Sequence, residues 1–501
     1  MNKGEAGQTA ERVLRLEAIN RNQMVMRVVD VERLVAEDHP VRAIWARVGR
    51  LDLSSFYAKI ESVDGVAGRP AWDPRLLMSL WIYAYSQGVS SAREMGRLSE
   101  YDPAYQWLTG MKEVNYHTLS DFRVAHKGAL EELFIQVLAV MSSEGLITLE
   151  RVMHDGTKIR ACASADTFRR EDKIQKHLAL AREHLKQIEE AGEEEVSARL
   201  AKARERAARE KLESLELALK ELEKVRADKS GQEEVEKARV SMTDPEARIM
   251  KQSEGGFAPS YNVEISTDAT AGVIVGVEAT QAGSDYQQLV PAVDKIEENM
   301  GRPPEEMVTD GGFVSRENIL AMHERGINFI GSMGDGKNQS AGQMNRRGVA
   351  EEFHPEAFSY DAASDTFTCP AGKLLHYEDK EERPGRTNHR YRAQASNCRV
   401  CPFRDKCCPT NATKGRTIVR GVDHPVVAAF INKMQTEEAK KIYRKRGAVA
   451  EFPNAWVKSK IGLRQFRMRG LIKAGIEALW ACLTYNVQQW IRLSWRPMLA
   501  N

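Results

Sequence analysis

Apolar residues recur at three- and four-residue spacing from His39 to about Gly145, in PVRAIWARVGRLDLSSFY, DPRLLMSLWIYAYSQG and SAREMGRLSEYDPAYQWLTG. That period predicts amphipathic helices, and the Asp, Ser, Pro and Gly between them sit where caps and turns belong. NYHTLSDFRVAHKGALEELFIQVLAVMSSEG continues the pattern, with Thr118 or Ser120 as the expected cap. The expected product is a helical domain over residues 39–145 containing a helix-turn-helix element. A loose tail followed by a short helix is expected over 1–38.

The period then changes. A short apolar run, Leu146, Ile147, Leu149, Val152 and Met153, leads to Asp155, and Met307, Val308 and Thr309 lead to Asp310 and two glycines. Each reads as a strand ending in an acid, although a DG after an apolar run also reads as a plain turn. Between them SYNVEISTDATAGVIVGVEATQ alternates β-branched residues around a turn at Ala271 and Gly272, the mark of a hairpin. A helix from near Ser284, with Asp285 as its cap, the Asp310 strand, a helix in SRENILAMHERG and a strand in INFIGSM follow. This order of strand, hairpin, helix, strand, helix and strand is that of a ribonuclease-H-like core, whose first and fourth strands are neighbours. The fold class is therefore α+β and multi-domain, with the core assembled from residues 146–168, 241–335 and 422–496.

Two stretches interrupt that core. Residues 169–240 contain no Phe, Tyr or Trp, and from Arg170 to Arg239 they hold 17 basic and 18 acidic residues. Leu178, Leu185 and Ile188 form one seam and Leu212, Leu215, Leu219 and Leu222 another, so a coiled-coil hairpin broken near Gly192 is expected. It would join two protomers into a homodimer, brace the helical domain or fill a connection; the first is favoured. Residues 336–421 lose the strand pattern and carry five of the seven cysteines, Cys369, Cys398, Cys401, Cys407 and Cys408. CxxC with further Cys nearby is a spacing that holds structural zinc. The expected ligands are Cys369, Cys398, Cys401 and Cys407, with Cys408 as the alternative; reduced, partly buried thiols are the rival reading. Cys162 and Cys482 read as core residues.

The last stretch is helical. Glu451 is expected in or just before a turn because Pro453 follows, and Trp480, Trp490 and Trp495 read as core bulk, while a base could stack on Trp456. The net charge of +2 looks neutral, but from Lys433 to Lys473 there are 12 Lys or Arg against 3 acids. Such a basic stretch around an acid suits a phosphate backbone, or else a solvated helix face. No run of about 18 apolar residues or apolar signal core occurs, so a cytoplasmic protein is expected.

HDGTKIRA around Asp155, SMTDPEARIMK from Ser241, GFAPSYNVEISTD from Gly256, VTDGGFVSRENI around Asp310 and YRKRGAVAEFPNAWVKSKIGLRQFRMRG from Tyr443 together resemble the DDE transposases of bacterial insertion sequences. The last stretch resembles that family's Y-R-E-K signature through Tyr443, Arg446, Glu451 and Lys458, with four residues between Arg and Glu instead of the usual three. The resemblance implies catalysis by Asp155, Asp310 and Glu451 holding two Mg2+ ions, with Tyr443, Arg446 and Lys458 gripping phosphates. It also implies double-stranded DNA as partner, at the terminal inverted repeats and the target, and DNA-end binding by the helical domain. There His117, Arg123, His126 and Lys127 are the candidates, or else the outer face of a bundle. A metal-dependent nuclease without strand transfer and an inactive DNA-binding repressor are the alternatives.

Overall fold

The computed structural model describes residues 20–495 except 25, 27, 64, 66, 68, 191–197, 230, 335–336 and 410–413. Residues 1–19 of the tail expected over 1–38 and the break near Gly192 lie outside the described residues, as does the Trp495 side chain. Among the described residues the first helical element is a short 3-10 turn, Val31–Leu34, capped by Asp30.

Six longer helices follow: Pro40–Val48, Pro74–Ser86, Ala92–Tyr101, Pro103–Thr109, Tyr116–Ala125 and Lys127–Ser143. Three open on a proline directly behind a capping side chain, His39, Asp73 or Asp102, which accepts a hydrogen bond from the second helical N–H. Proline lacks the donor that a first turn leaves unpaired, so it fits there without loss. Helix Tyr116–Ala125 is capped by Asn115, which accepts from the His117 N–H at 2.8 Å, and not by Thr118 or Ser120.

The central sheet has six strands: β1 (Arg151–Arg160), β2 (Arg248–Lys251), β3 (Phe257–Asp268), β4 (Val273–Thr280), β5 (Glu306–Thr309) and β6 (Asn328–Ile330). β3 pairs antiparallel with β1 on one side and with β2 and β4 on the other, while β1, β5 and β6 run parallel. The first and fourth strands of the expected core are thus neighbours. Asp155, expected at a strand end, sits mid-strand in β1 opposite Ile265. A glycine after an acid signals a turn, but the antiparallel partner β3 is long enough to carry the strand past it.

Helix Leu471–Trp490 is buried along nearly its whole length and joins the helical part to the sheet. The Trp480 ring lies against Trp81 and stacks on Tyr85 at centroid distances of 6.2 and 6.4 Å, and its indole N–H donates to the Arg123 carbonyl at 3.3 Å. On its other side Asn486 acts as an extra strand edge. Its Oδ1 accepts from the Ile274 N–H at 2.9 Å and its Nδ2 donates to the Ile274 carbonyl at 2.7 Å. One hydrophobic interior therefore runs through both parts, so the boundary expected at 145 is not a packing boundary.

Helices Glu171–Glu190 and Ala198–Ala227 pair along Ile174, Leu178 and Ala181 against Leu215, Ala218 and Leu222. Arg182–Glu216 at 3.0 Å and Arg226–Glu171 at 2.7 Å bridge them. The pair is tied to the sheet by the buried Glu221, whose carboxylate takes Arg248 and, at 3.1 Å, the Gln281 amide. Residues 336–421, expected to lack strands, form a second, five-stranded antiparallel sheet of Ser359–Asp361, Thr366–Thr368, Leu374–Arg383, Arg386–Ala393 and Thr417–Asp423. Strand Leu374–Arg383 is largely charged and exposed, and cross-strand ion pairs to Arg386–Ala393, such as Glu378–Arg392 at 2.8 Å and Asp379–Arg390 at 3.3 Å, hide the apolar alternation.

Because Trp480 is 1% exposed and shared by both parts, Trp480→Ala is expected to lower unfolding free energy by about 3–5 kcal/mol. Urea unfolding followed by far-UV and tryptophan signals should show helices and sheet shifting together; a loss confined to the helices would contradict a shared interior.

Candidate active site

Parallel pairing of β1 and β5 sets Met153 opposite Val308 and His154 opposite Thr309, so the next residue on each strand is an aspartate. By strand alternation Asp155 continues the row of Met153, and Asp310 that of Val308. Asp310 leaves its strand to cap the 3-10 turn Gly311–Phe313, its Oδ1 accepting from the Gly312 N–H at 2.8 Å. The two carboxylates feel each other: burial first, then the Asp310 charge, raises the Asp155 carboxyl above its ordinary value, against the pull of Arg446, His154 and the Asn454 amide.

The same face is covered by the segment that carries the third acid. Ala450 packs among Met153, Val308 and Ile330, with Ile442, Tyr443 and Val449 around it. Gly447–Glu451 is a π-helical turn running straight into helix Phe452–Ser459. Pro453 lies in that helix's first turn, so Glu451 belongs to a helix and the expected turn is absent. A π-turn spans one residue more than an α-turn, which takes up the additional residue between Arg446 and Glu451. The two side chains meet, Arg446 to Glu451 Oε1 at 3.1 Å, and the glutamate carboxylate lies back over Gly447, about where its side chain would project. One turn on, Asn454 Nδ2 donates to Asp155 Oδ2 at 3.0 Å.

Among the described residues no three His, Cys, Asp or Glu side chains stand together as a ready metal-holding group. Glu451 is engaged with Arg446 and its side chain is 59% exposed. The chemistry of the donors nevertheless fits a divalent cation: the Asp155 carboxylate with the Asp310 charge near it, and beside Asp155 the buried Asn454 Oδ1 with no hydrogen-bond partner among the described residues. Lys458 also neighbours the site; burial lowers its ammonium pKa while the Asp155 charge raises it.

A second polar row lies on the opposite face of β1. His154 Nε2 stands 3.0 Å from Glu264 Oε2, and its Nδ1 is 2.9 Å from Ser266 Oγ. Asn262 Nδ2 bridges Glu264 Oε1 at 2.5 Å and Asp285 Oδ1 at 2.9 Å, and Lys158 Nζ reaches that same Asp285 oxygen at 2.7 Å. Gly156 makes room: a Cβ there would stand 2.9 Å from Glu264 Oε2 and 3.1 Å from Asp285 Oδ1. Asp285, expected to cap a helix, instead belongs to this network, since the following helix starts only at Leu289 with Gln288 at its cap.

The sequence reading missed Asn454 and this row. Asn262, Glu264 and Ser266 alternate with apolar residues and read as a solvent face, whereas both faces of β3 are buried. Of the helical-domain candidates, His117 is exposed and Lys127 is exposed beside Glu131 at 3.5 Å. Arg123 requires correction: it is 6% exposed, donates to the Ser90 carbonyl at 2.8 Å and lies over Trp81, so it holds the helices together and does not face DNA. His126 is wedged between Phe56 and Phe122. Trp456 donates to Gln488 Oε1 at 3.1 Å and packs on Phe452. All five cysteines of the second sheet, including the distant Cys369, line one small cavity with Phe353 and Phe403. The Lys373 N–H points at Cys369 Sγ at 3.3 Å and the Arg416 N–H at Cys398 Sγ at 3.4 Å, while burial raises the Cys398 thiol. Cys482 is buried and Cys162 only partly so.

Residues 368–491 match the family model described as Transposase DDE domain, and residues 29–125 match the one described as Transposase domain (DUF772). Together the two matches support an insertion-sequence DDE transposase. The DDE match includes Glu451, while Asp155 and Asp310 lie outside both matched stretches. No curated protein matches the chain.

Folding raises the Asp155 carboxyl, so in chelator the wild type should lose stability as pH climbs from the ordinary carboxylate value of 3.8 through the raised one. Asp155→Asn should lack that loss and melt higher than wild type at neutral pH. Thermal unfolding across pH in EDTA checks it; a variant that melts lower throughout would contradict the charge argument.

Proposed function

We propose that this protein cuts DNA at the terminal inverted repeats of its own mobile element and joins the ends to target DNA, with Asp155, Asp310 and Glu451 holding two Mg2+ ions. The observation that carries the reading is the strand register that sets the two aspartates side by side under the glutamate-bearing helix. Bound there, the cations would activate the attacking oxygen and take charge from the leaving one in an in-line displacement. The chain's own part is to hold and to grip. Asp155 is fixed by Asn454, and Glu451 must turn from Arg446 to join the aspartates, which frees the guanidinium for a phosphate. Lys458 supplies a half-buried cation beside Asp155. Tyr443, packed under the π-turn, supports Arg446, whose guanidinium lies 6.0 Å from its ring.

His117 and Lys127 remain the helical-domain candidates for DNA contact, and the basic stretch from Lys433 to Lys473 supplies the charge that a phosphate backbone needs. The paired helices over 171–227 are proposed as the homodimer contact. Structural zinc held by Cys369, Cys398, Cys401 and one of Cys407 or Cys408 is supported by their shared cavity and by the backbone N–H groups aimed at two sulfurs. A sheet whose interior is little more than Phe358, Phe367, Leu375, Tyr391 and Ile418 also needs such a staple.

Asp155→Ala, Asp310→Ala and Glu451→Ala should each cut Mg2+-dependent cleavage of an inverted-repeat duplex by at least about a thousandfold, with DNA binding kept. Wild type that cleaves but fails to join a pre-cut end would be a nuclease, and wild type that binds without cleaving would be a repressor. Purified under reducing conditions, the protein should carry one zinc per chain, lost in Cys398→Ser together with a lower melting temperature. Metal-free wild type of unchanged stability would refute the zinc site.

A further inference from the structure

Asn454 is the side chain that ties the glutamate-bearing helix to the first aspartate. It is 7% exposed, follows Glu451 by three residues and so projects from the same side of the helix. A carboxylate only accepts, so the amide must present its NH2 end to Asp155, and it does, Nδ2 to Oδ2 at 3.0 Å. That leaves Oδ1 buried on the same amide that holds the Asp155 carboxylate, with no hydrogen-bond partner among the described residues. An orphaned acceptor of this kind carries a desolvation cost unless something fills the place. What fits next to two carboxylates and an amide oxygen is a donor or a cation with its water shell.

We propose that Asn454 is a positioning residue for the cation site: its NH2 group turns Asp155 toward the divalent ion, and its Oδ1 accepts a hydrogen bond from a water in the ion's shell. This rests on the reading of Asp155, Asp310 and Glu451 as cation ligands. It adds that the glutamate helix contributes two groups, so that docking of this helix and loading of the cation are one event. A purely structural asparagine would matter to folding alone.

The test uses the full chain without DNA and measures Mn2+ binding, by the paramagnetic resonance of free Mn2+, alongside thermal midpoints with and without Mn2+. Asn454→Ala should weaken Mn2+ binding by about tenfold, and Asp155→Asn should weaken it further. Asn454→Asp keeps the shape but sets a third negative charge against Asp155. It should lower the metal-free midpoint and gain a larger Mn2+-induced rise than wild type. Asn454→Ala that binds Mn2+ like wild type while Asp155→Asn does not would overturn the role given to Asn454 alone. Wild-type Mn2+ binding in Asp155→Asn would overturn the cation reading and this inference with it. Should Asn454→Ala fail to fold, equal Mn2+ shifts in Asn454→Asp and wild type would overturn the proposal.

Discussion

The parallel hydrogen bonding between β1 and β5 is the constraint on which the rest depends. Side-chain direction alternates along a strand, so a slip of one residue would send one aspartate to the opposite face of the sheet. The buried pairs Val152 with Met307 and Met153 with Val308 fix that register. They bring together two acids more than 150 positions apart in the chain. Burial does the pinning and Asp155 bears its penalty, which explains why the raised Asp155 carboxyl and the apolar cluster under Ala450 occur at one place.

The segment that carries the glutamate reaches this face by a different device. Between Arg446 and Glu451 the helix is wound one residue wider, and a wide turn of this kind is costly enough to need support from its surroundings. The support is visible: Ala450 is buried against β1, β5 and β6, and Asn454 is bonded to Asp155. The widened turn keeps Arg446 and Glu451 on one side despite their five-residue separation, so the added residue leaves the partnership of these two side chains intact.

Much of the core was legible because its signals are local or periodic. The apolar runs before Asp155 and Asp310, the hairpin turn at Gly272 and the seam of Leu212, Leu215, Leu219 and Leu222 each correspond to an element of the structure, whereas of the first seam only Leu178 packs there, with Ile174 and Ala181 in place of Leu185 and Ile188. What was illegible depends on tertiary burial. The polar row of β3 looks solvent-facing until the sheet is seen to be covered on both sides. Arg123 reads as a DNA contact until Ser90 and Trp81 are found around it. Strands 374–383 and 386–393 are hidden by charges that pair across the sheet. Asn454 could be found only through its partner, which lies 299 positions away.

The short antiparallel pair at the root of the charged helices, Phe168–Arg169 with Val240–Ser241, bears on how the chain finds its shape. β1 and β3 must pair across an excursion of about a hundred residues, and closing a loop costs entropy that grows with the logarithm of its length. The paired helices are local in sequence and zip along their own seam. Once they do, Phe168 and Ser241 are held face to face and the excursion shrinks, for the searching chain, to the few residues on either side of the stem. A segment that interrupts the central sheet in sequence is thus closed at its base by its own strand pair, which brings the two ends of the excursion together.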